Sequence, residues 1–145
     1  MKFWDTSALV PMLVSEDTTV DVTALYRADP VLAVVWTTPV ECASALARAE
    51  REGLLAPDQV TVGFARLDAL ARAWIEVEPI GDLRDIARRL LRVHPLRAAD
   101  AIQLAAATVA AEQRPASLTI VTLDQRIEVA ALKEGFHVVV PGRTR

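Results

Sequence analysis

Four carboxylates stand where an α/β protein could use them for chemistry. Asp5 ends the apolar stretch Lys2-Phe3-Trp4 and runs into Thr6 and Ser7. Glu41 closes the run Thr37-Thr38-Pro39-Val40-Glu41, directly after the apolar stretch Val31–Trp36. Asp100 follows Arg97-Ala98-Ala99, and Asp124 follows Leu118-Thr119-Ile120-Val121-Thr122-Leu123. Ligands of open α/β sheets bind at the carboxyl ends of the strands. If the strands are parallel, Asp5, Glu41 and Asp124 share one end of the sheet, and Asp100 reaches it if its helix begins there. Carboxylates gathered in one cleft repel one another and hold some protons; a divalent cation removes that penalty. Oxygen donors without Cys or His point to a hard ion, Mg²⁺ or Mn²⁺, over zinc. A water on such an ion attacks a phosphodiester, and the same charge stabilises the leaving oxygen. No Ser-His or Cys-His pair and no Gly-rich phosphate loop offers a competing chemistry.

Each acid also has a plainer role. Asp5 and Asp124 are good helix N-caps. Thr38, Pro39 at the first helical position and Glu41 have the spacing of a capping box. Asp100 could simply favour a helix dipole. That reading is weakest for Asp100: an ionised carboxylate on a buried helix costs several kcal/mol unless paired, whereas a dipole returns ~0.3–2 kcal/mol. A metal ion or Arg97 has to supply the balance.

The elements that position these residues follow from the apolar pattern. The 145 residues suit one domain, 1–145, with one real core. Hydrophobic residues make up 52% and mean hydropathy is +0.27, which excludes a disordered chain. Lys2–Trp4 reads as a strand, Ala8–Val14 as a short helix and Thr18–Ala28 as a second, with Val20, Val22, Leu25 and Tyr26 inward. Val31–Trp36 is an unbroken apolar run, as in a strand buried on both faces. The next helix reaches about Glu52 and presents Val40, Ala43, Leu46 and Ala47 to the core. Another helix covers Ala56–Trp74, with Val60, Phe64, Leu67, Ala71 and Trp74 inward. Ile75–Pro79 reads as a short edge strand. A helix from Gly81-Asp82 to Val93 turns Arg84, Arg88, Arg89 and Arg92 outward. Arg97–Ala111 is apolar almost all round and therefore buried. A strand over Leu118–Thr122, a helix over Gln125–Glu134 and a strand over Phe136–Val140 complete an α/β chain with a mostly parallel central sheet. The tail Arg143-Thr144-Arg145 reads as mobile.

The balance of function classes is equally physical. Net charge is −3 and the pI is near 5.4, which argues against a protein that coats nucleic acid, though not against an enzyme that meets it through cations. No apolar run is long enough for a membrane span, and the first residues lack a signal-peptide pattern. A lone Cys42 forms no internal disulfide and suits a reducing, cytoplasmic setting. His94 and His137 read as surface or strand-edge residues.

Taken together, Asp5-Thr6-Ser7-Ala8-Leu9, Glu41 in Thr-Pro-Val-Glu, Ala99-Asp100-Ala101-Ile102-Gln103-Leu104-Ala105-Ala106-Ala107 and Thr122-Leu123-Asp124 resemble the PIN-domain ribonucleases, and within them the VapC-type toxins of toxin–antitoxin pairs. The resemblance runs in order along nearly the whole chain. It implies a three-layer α/β/α PIN-like fold and an Mg²⁺- or Mn²⁺-dependent endoribonuclease. It also implies a homodimer, inhibited by a cognate antitoxin. By matching position, Asp5, Glu41, Asp100 and Asp124 are the metal-binding acids, and Thr6, Ser7 and Thr122 orient them. Arg48, Arg51, Arg92 and Arg97 are candidates to grip RNA phosphates, with Arg48 and Arg97 foremost; a solvated helix face explains the same arginines. The alternative function is a catalytically silent PIN-like scaffold that binds RNA or protein.

Overall fold

A computed structural model describes residues 1–143. Five short strands form one sheet in the order β3-β2-β1-β4-β5, and every pairing is parallel. They are β1 (Lys2–Trp4), β2 (Leu32–Val35), β3 (Ile75–Val77), β4 (Thr119–Val121) and β5 (His137–Val139). Seven helices lie between and around them: α1 (Thr6–Leu13), α2 (Thr19–Ala28), α3 (Thr38–Arg51), α4 (Pro57–Ala71), α5 (Leu83–Val93), α6 (Ala98–Ala110) and α7 (Gln125–Lys133).

Strand side chains alternate between the two faces, and here both faces are covered. Phe3, Ala33, Val35, Ile120 and Val138 pack with α5, α6 and α7. Trp4, Leu32, Val34 and Val121 pack with α1 to α4. This is the three-layer α/β/α PIN-like arrangement, with a sheet whose strands read as continuous apolar runs because neither face meets water. β1 is central, pairing Phe3 with Ala33 on one side and with Ile120 on the other. The chain leaves β1 toward β2 and β3, then returns to lay β4 on β1's other edge. The sheet therefore has its topological switch point between β1 and β4, where α/β folds place ligands.

The helix registers differ in places from those the spacing predicts. In α3 the buried residues are Thr38, Cys42 and Leu46, while Val40 is 72% exposed. In α4 they are Val60, Gly63 and Leu67, while Phe64 lies at the surface. Val20 of α2 is also exposed. His94 is a further correction: it is buried, and its Nε2 lies 2.6 Å from Glu134 Oε1, while Arg89 Nη2 donates to Glu134 Oε2 at 2.6 Å. That cluster ties the end of α5 to the end of α7. Arg143 is not free either, since its Nη1 donates to Glu128 Oε1 at 2.6 Å; Thr144 and Arg145 lie outside the described residues. The middle of α6 is buried on every side, from Ala101 to Thr108 except for Ile102. Among the described residues no helix is long and apolar enough to cross a membrane.

Candidate active site

A cleft of about 840 Å³ opens at the carboxyl end of the sheet. Asp5, Glu41, Asp100 and Asp124 all line it, together with Thr6, Ser7, Arg48 and Arg97. Arg51 and Arg92 do not.

Asp5 leaves β1 in an extended conformation and caps α1 through Ser7 N–H, which donates to Oδ2 at 3.2 Å. The Ser7 hydroxyl donates to the same oxygen, and Thr122 Oγ1 donates to it at 3.0 Å. Leu123 N–H in turn donates to Ser7 Oγ at 2.9 Å, and Asp124 N–H to Thr122 Oγ1 at 3.0 Å. Two hydroxyls thus stitch the ends of β1 and β4 together around one carboxylate oxygen. Burial pushes the Asp5 carboxyl up from 3.8 to about 6; the bonds from Ser7 and Thr122 pull it down, and the charge on Glu41 adds to the rise.

Glu41 is not a capping-box partner. Thr37, not Thr38, precedes α3, and no side chain caps that helix. The Glu41 carboxylate instead turns toward the cleft and is held by three donors. Thr37 Oγ1 reaches Oε1 at 2.6 Å, while Thr6 Oγ1 and Gln103 Nε2 each reach Oε2 at 3.2 Å. Gln103 Nε2 also donates to Thr6 Oγ1 at 2.9 Å. The Gln103 side chain is 1% exposed, so α6 delivers a buried amide across the site to orient an acid on α3. Such outer hydrogen bonds fix the direction of an acidic ligand. In the sequence Gln103 stands only as part of the run Ala99–Ala107, with no role of its own.

Asp100 is half-buried, and Arg97 N–H donates to its Oδ2 at 2.9 Å. The backbone, not the Arg97 guanidinium, gives Asp100 its hydrogen bond, so a cap does contribute here. Asp124 caps α7 by accepting from Arg126 N–H at 2.7 Å and Ile127 N–H at 3.3 Å, both on Oδ1. Capping and ligation are compatible, because each cap uses a single oxygen. Among the described residues, Oδ1 of Asp5 and Oδ1 of Asp100 accept no hydrogen bond, and Asp124 Oδ2 has only Arg126 Nη1 at 3.9 Å. Also in the cleft, and not anticipated from sequence, are the carboxylates of Glu16 and Glu52 and an apolar end formed by Val10, Val14, Leu54 and Leu55.

The donor set suits a hard cation: carboxylates and hydroxyls, with the thiol of nearby Cys42 buried and pushed up to about 12 by that burial and by the charges of Glu41 and Asp5. Among the described residues, however, no three of Asp, Glu, His or Cys converge into a closed cage. Mg²⁺ does not require one, since it keeps several waters and is usually held by one or two carboxylates.

Comparison with known proteins bears on the fold. No family model and no curated protein matches the chain. Solved structures do. The chain is similar to one in a toxin–antitoxin complex from Klebsiella pneumoniae, at 17% identity and a TM-score of 0.68 over 99% of this chain and 100% of that one. It is similar to one in FitAcB from Neisseria gonorrhoeae, at 20% identity and a TM-score of 0.65 over 95% and 96%. A chain in VapBC2 from Rickettsia felis, bound to a DNA fragment from their promoter, matches at 10% identity and a TM-score of 0.65 over 97% and 98%. At such identities the shared property is the fold, and it extends over whole chains.

Proposed function

We propose that the protein is a VapC-type PIN-domain toxin, an Mg²⁺- or Mn²⁺-dependent endoribonuclease held in check by a cognate antitoxin. The observation that carries this reading is the meeting of four acids from four separate parts of the chain in one cleft at the β1/β4 switch point. Three of them keep an oxygen unused by capping. A helix needs one cap; it has no use for a glutamate held by Thr6 and by Gln103 of α6 as well as by Thr37 at its own N-terminus. Whole-chain likeness to members of toxin–antitoxin complexes supports the same class.

In this reading Asp5, Asp100 and Asp124 supply the oxygens that hold the cation, and Glu41, fixed by Thr37, Thr6 and Gln103, completes the acidic wall. The bound cation would activate a water for attack on an RNA phosphodiester and stabilise the leaving oxygen. Ser7 and Thr122 hold Asp5 in place throughout. Arg48 and Arg97, which also line the cleft, attract the phosphates. The antitoxin would lay a segment along the apolar end of the cleft and point a basic side chain at the acids. A homodimer and a cytoplasmic setting belong to the same proposal.

The silent-scaffold alternative draws on one observation, the lack of a preformed three-ligand cage among the described residues. Total RNA incubated with Mg²⁺ or Mn²⁺, with the new ends mapped, separates the two. We expect cleavage of single-stranded or loop RNA that stops in EDTA and in Asp100→Asn. At a hundredfold excess of ion over its dissociation constant, wild type gains ~2.7 kcal/mol, about 5–10 °C in melting temperature for a chain this long. Undiminished cleavage in EDTA, or melting indifferent to millimolar Mn²⁺, sinks the metal mechanism.

A further inference from the structure

A second cavity, of about 560 Å³, lies on the other side of the first turn of α6. Ala98 lines it, whereas Ala99 and Asp100 line the acidic cleft, so one helical turn separates the two. Its volume is that of a small-ligand pocket. Trp36, the residue after β2, lines it, and its backbone N–H donates to Val77 O at 3.1 Å. Trp36 is half-buried and packs against the core cluster that includes residues of α5 and α6. Ile102 is an apolar lining residue, and Arg84 and Arg88, one turn apart on α5, line the cavity together with Asp85, two cations to one carboxylate. Among the described residues Arg84 has no ion-pair partner, and Arg88 has only Asp85 at 3.8 Å, with both side chains more than three-quarters exposed. A pair so exposed is worth little and leaves both guanidiniums open to an anion.

We infer that this pocket binds one nucleotide of the single-stranded RNA whose backbone crosses the acidic cleft, its base stacked on Trp36 and its phosphate held by Arg84 and Arg88. The inference rests on the ribonuclease reading above and extends it to a subsite. An aromatic side chain beside two exposed guanidiniums is the pattern that grips single strands, because every base has a π-face and every nucleotide a charge. Charge decides the occupant. The acidic cleft needs cations before it tolerates a polyanion, whereas this pocket attracts one directly. It therefore anchors the strand without metal.

The test is RNA binding in EDTA, where cleavage is blocked. A fluorescein-labelled single-stranded RNA of about a dozen nucleotides is titrated by anisotropy over a range of salt. Trp36→Leu is expected to weaken binding about tenfold, within the range for loss of one base stack, and Trp36→Phe to restore most of it. The double variant Arg84→Gln/Arg88→Gln changes only exposed side chains, so it folds even if Trp36→Leu does not. It is expected to lower the salt slope by about 0.7, the value for one phosphate contact on a single strand. Unchanged affinity and slope in the arginine variant overturn the subsite, and if that variant still cleaves RNA the ribonuclease reading stands. Loss of self-association at unchanged RNA affinity also overturns it, by making the pocket an interface between copies. Wild type that neither binds nor cuts RNA removes both readings together.

Discussion

Asp5 has surroundings that pull in two directions. Burial disfavours its charge, and two hydroxyls and an amide favour it; burial prevails, and the carboxyl rises from 3.8 to about 6. Between those values the folded chain keeps a proton that the unfolded chain has lost, so stability falls as pH rises through the window. The cost, complete above about pH 6, is on the order of 3 kcal/mol at ~1.4 per unit. Asp5→Asn keeps an acceptor for Ser7 and Thr122 and removes the charge. In EDTA we expect it to melt higher than wild type at pH 8, to match it near pH 3.5, and to ignore Mn²⁺. Equal melting of the two proteins at pH 8 would contradict the buried-charge account. The positions of the acids were legible in the sequence because a strand's end and a helix's start are local events. The role of Gln103 was not, since its partners Thr6 and Glu41 are brought to it by elements 97 and 62 residues away.

At the scale of elements, helix existence was readable and helix rotation was not. The run Val40, Ala43, Leu46, Ala47 and the run Thr38, Cys42, Leu46 are both plausible stripes on a helix rich in alanine. Small side chains give weak preference between them. What decides is the neighbour: α4 comes in over Gly63, where an added Cβ would lie 2.9 Å from Leu46 Cδ2 and 3.4 Å from Val14 Cγ1. The absent side chain lets α3 and α4 close up, and Leu46 fills the space between. Threonine hydroxyls settle the start of α3 in the same way, since Thr37 serves Glu41 and no box forms. Gly63→Val should therefore destabilise by ~1–3 kcal/mol through overpacking, despite the low helix propensity of the glycine it replaces. Chemical denaturation measures it, and an unchanged midpoint would mean that the α3–α4 contact has slack. His94 escaped the sequence reading for a related reason: Glu134, its partner, lies 40 residues on.

At the scale of the molecule, strand order follows from a pattern that the sequence displays only in part. Continuous apolar strands announce a sheet covered on both faces, and α6, apolar all round, announces a helix enclosed in one of the layers. Neither reveals that β4 comes back to the edge of β1 opposite β2. That return has a consequence in time. Thr122 completes the hold on Asp5 from 117 residues further along the chain. During synthesis, at ~5–20 residues per second, β1 has β2 for company early but shows its other edge until β4 emerges. For those seconds it is an unpaired apolar edge, the kind of surface on which chains aggregate. On the ribonuclease reading the same delay postpones activity. A nascent chain that has not yet delivered Thr122 and Asp124 has three of the four acids and only Ser7 to hold Asp5, so on the proposed reading the cell that makes this protein meets a complete acidic cleft only when β4 and the start of α7 have folded.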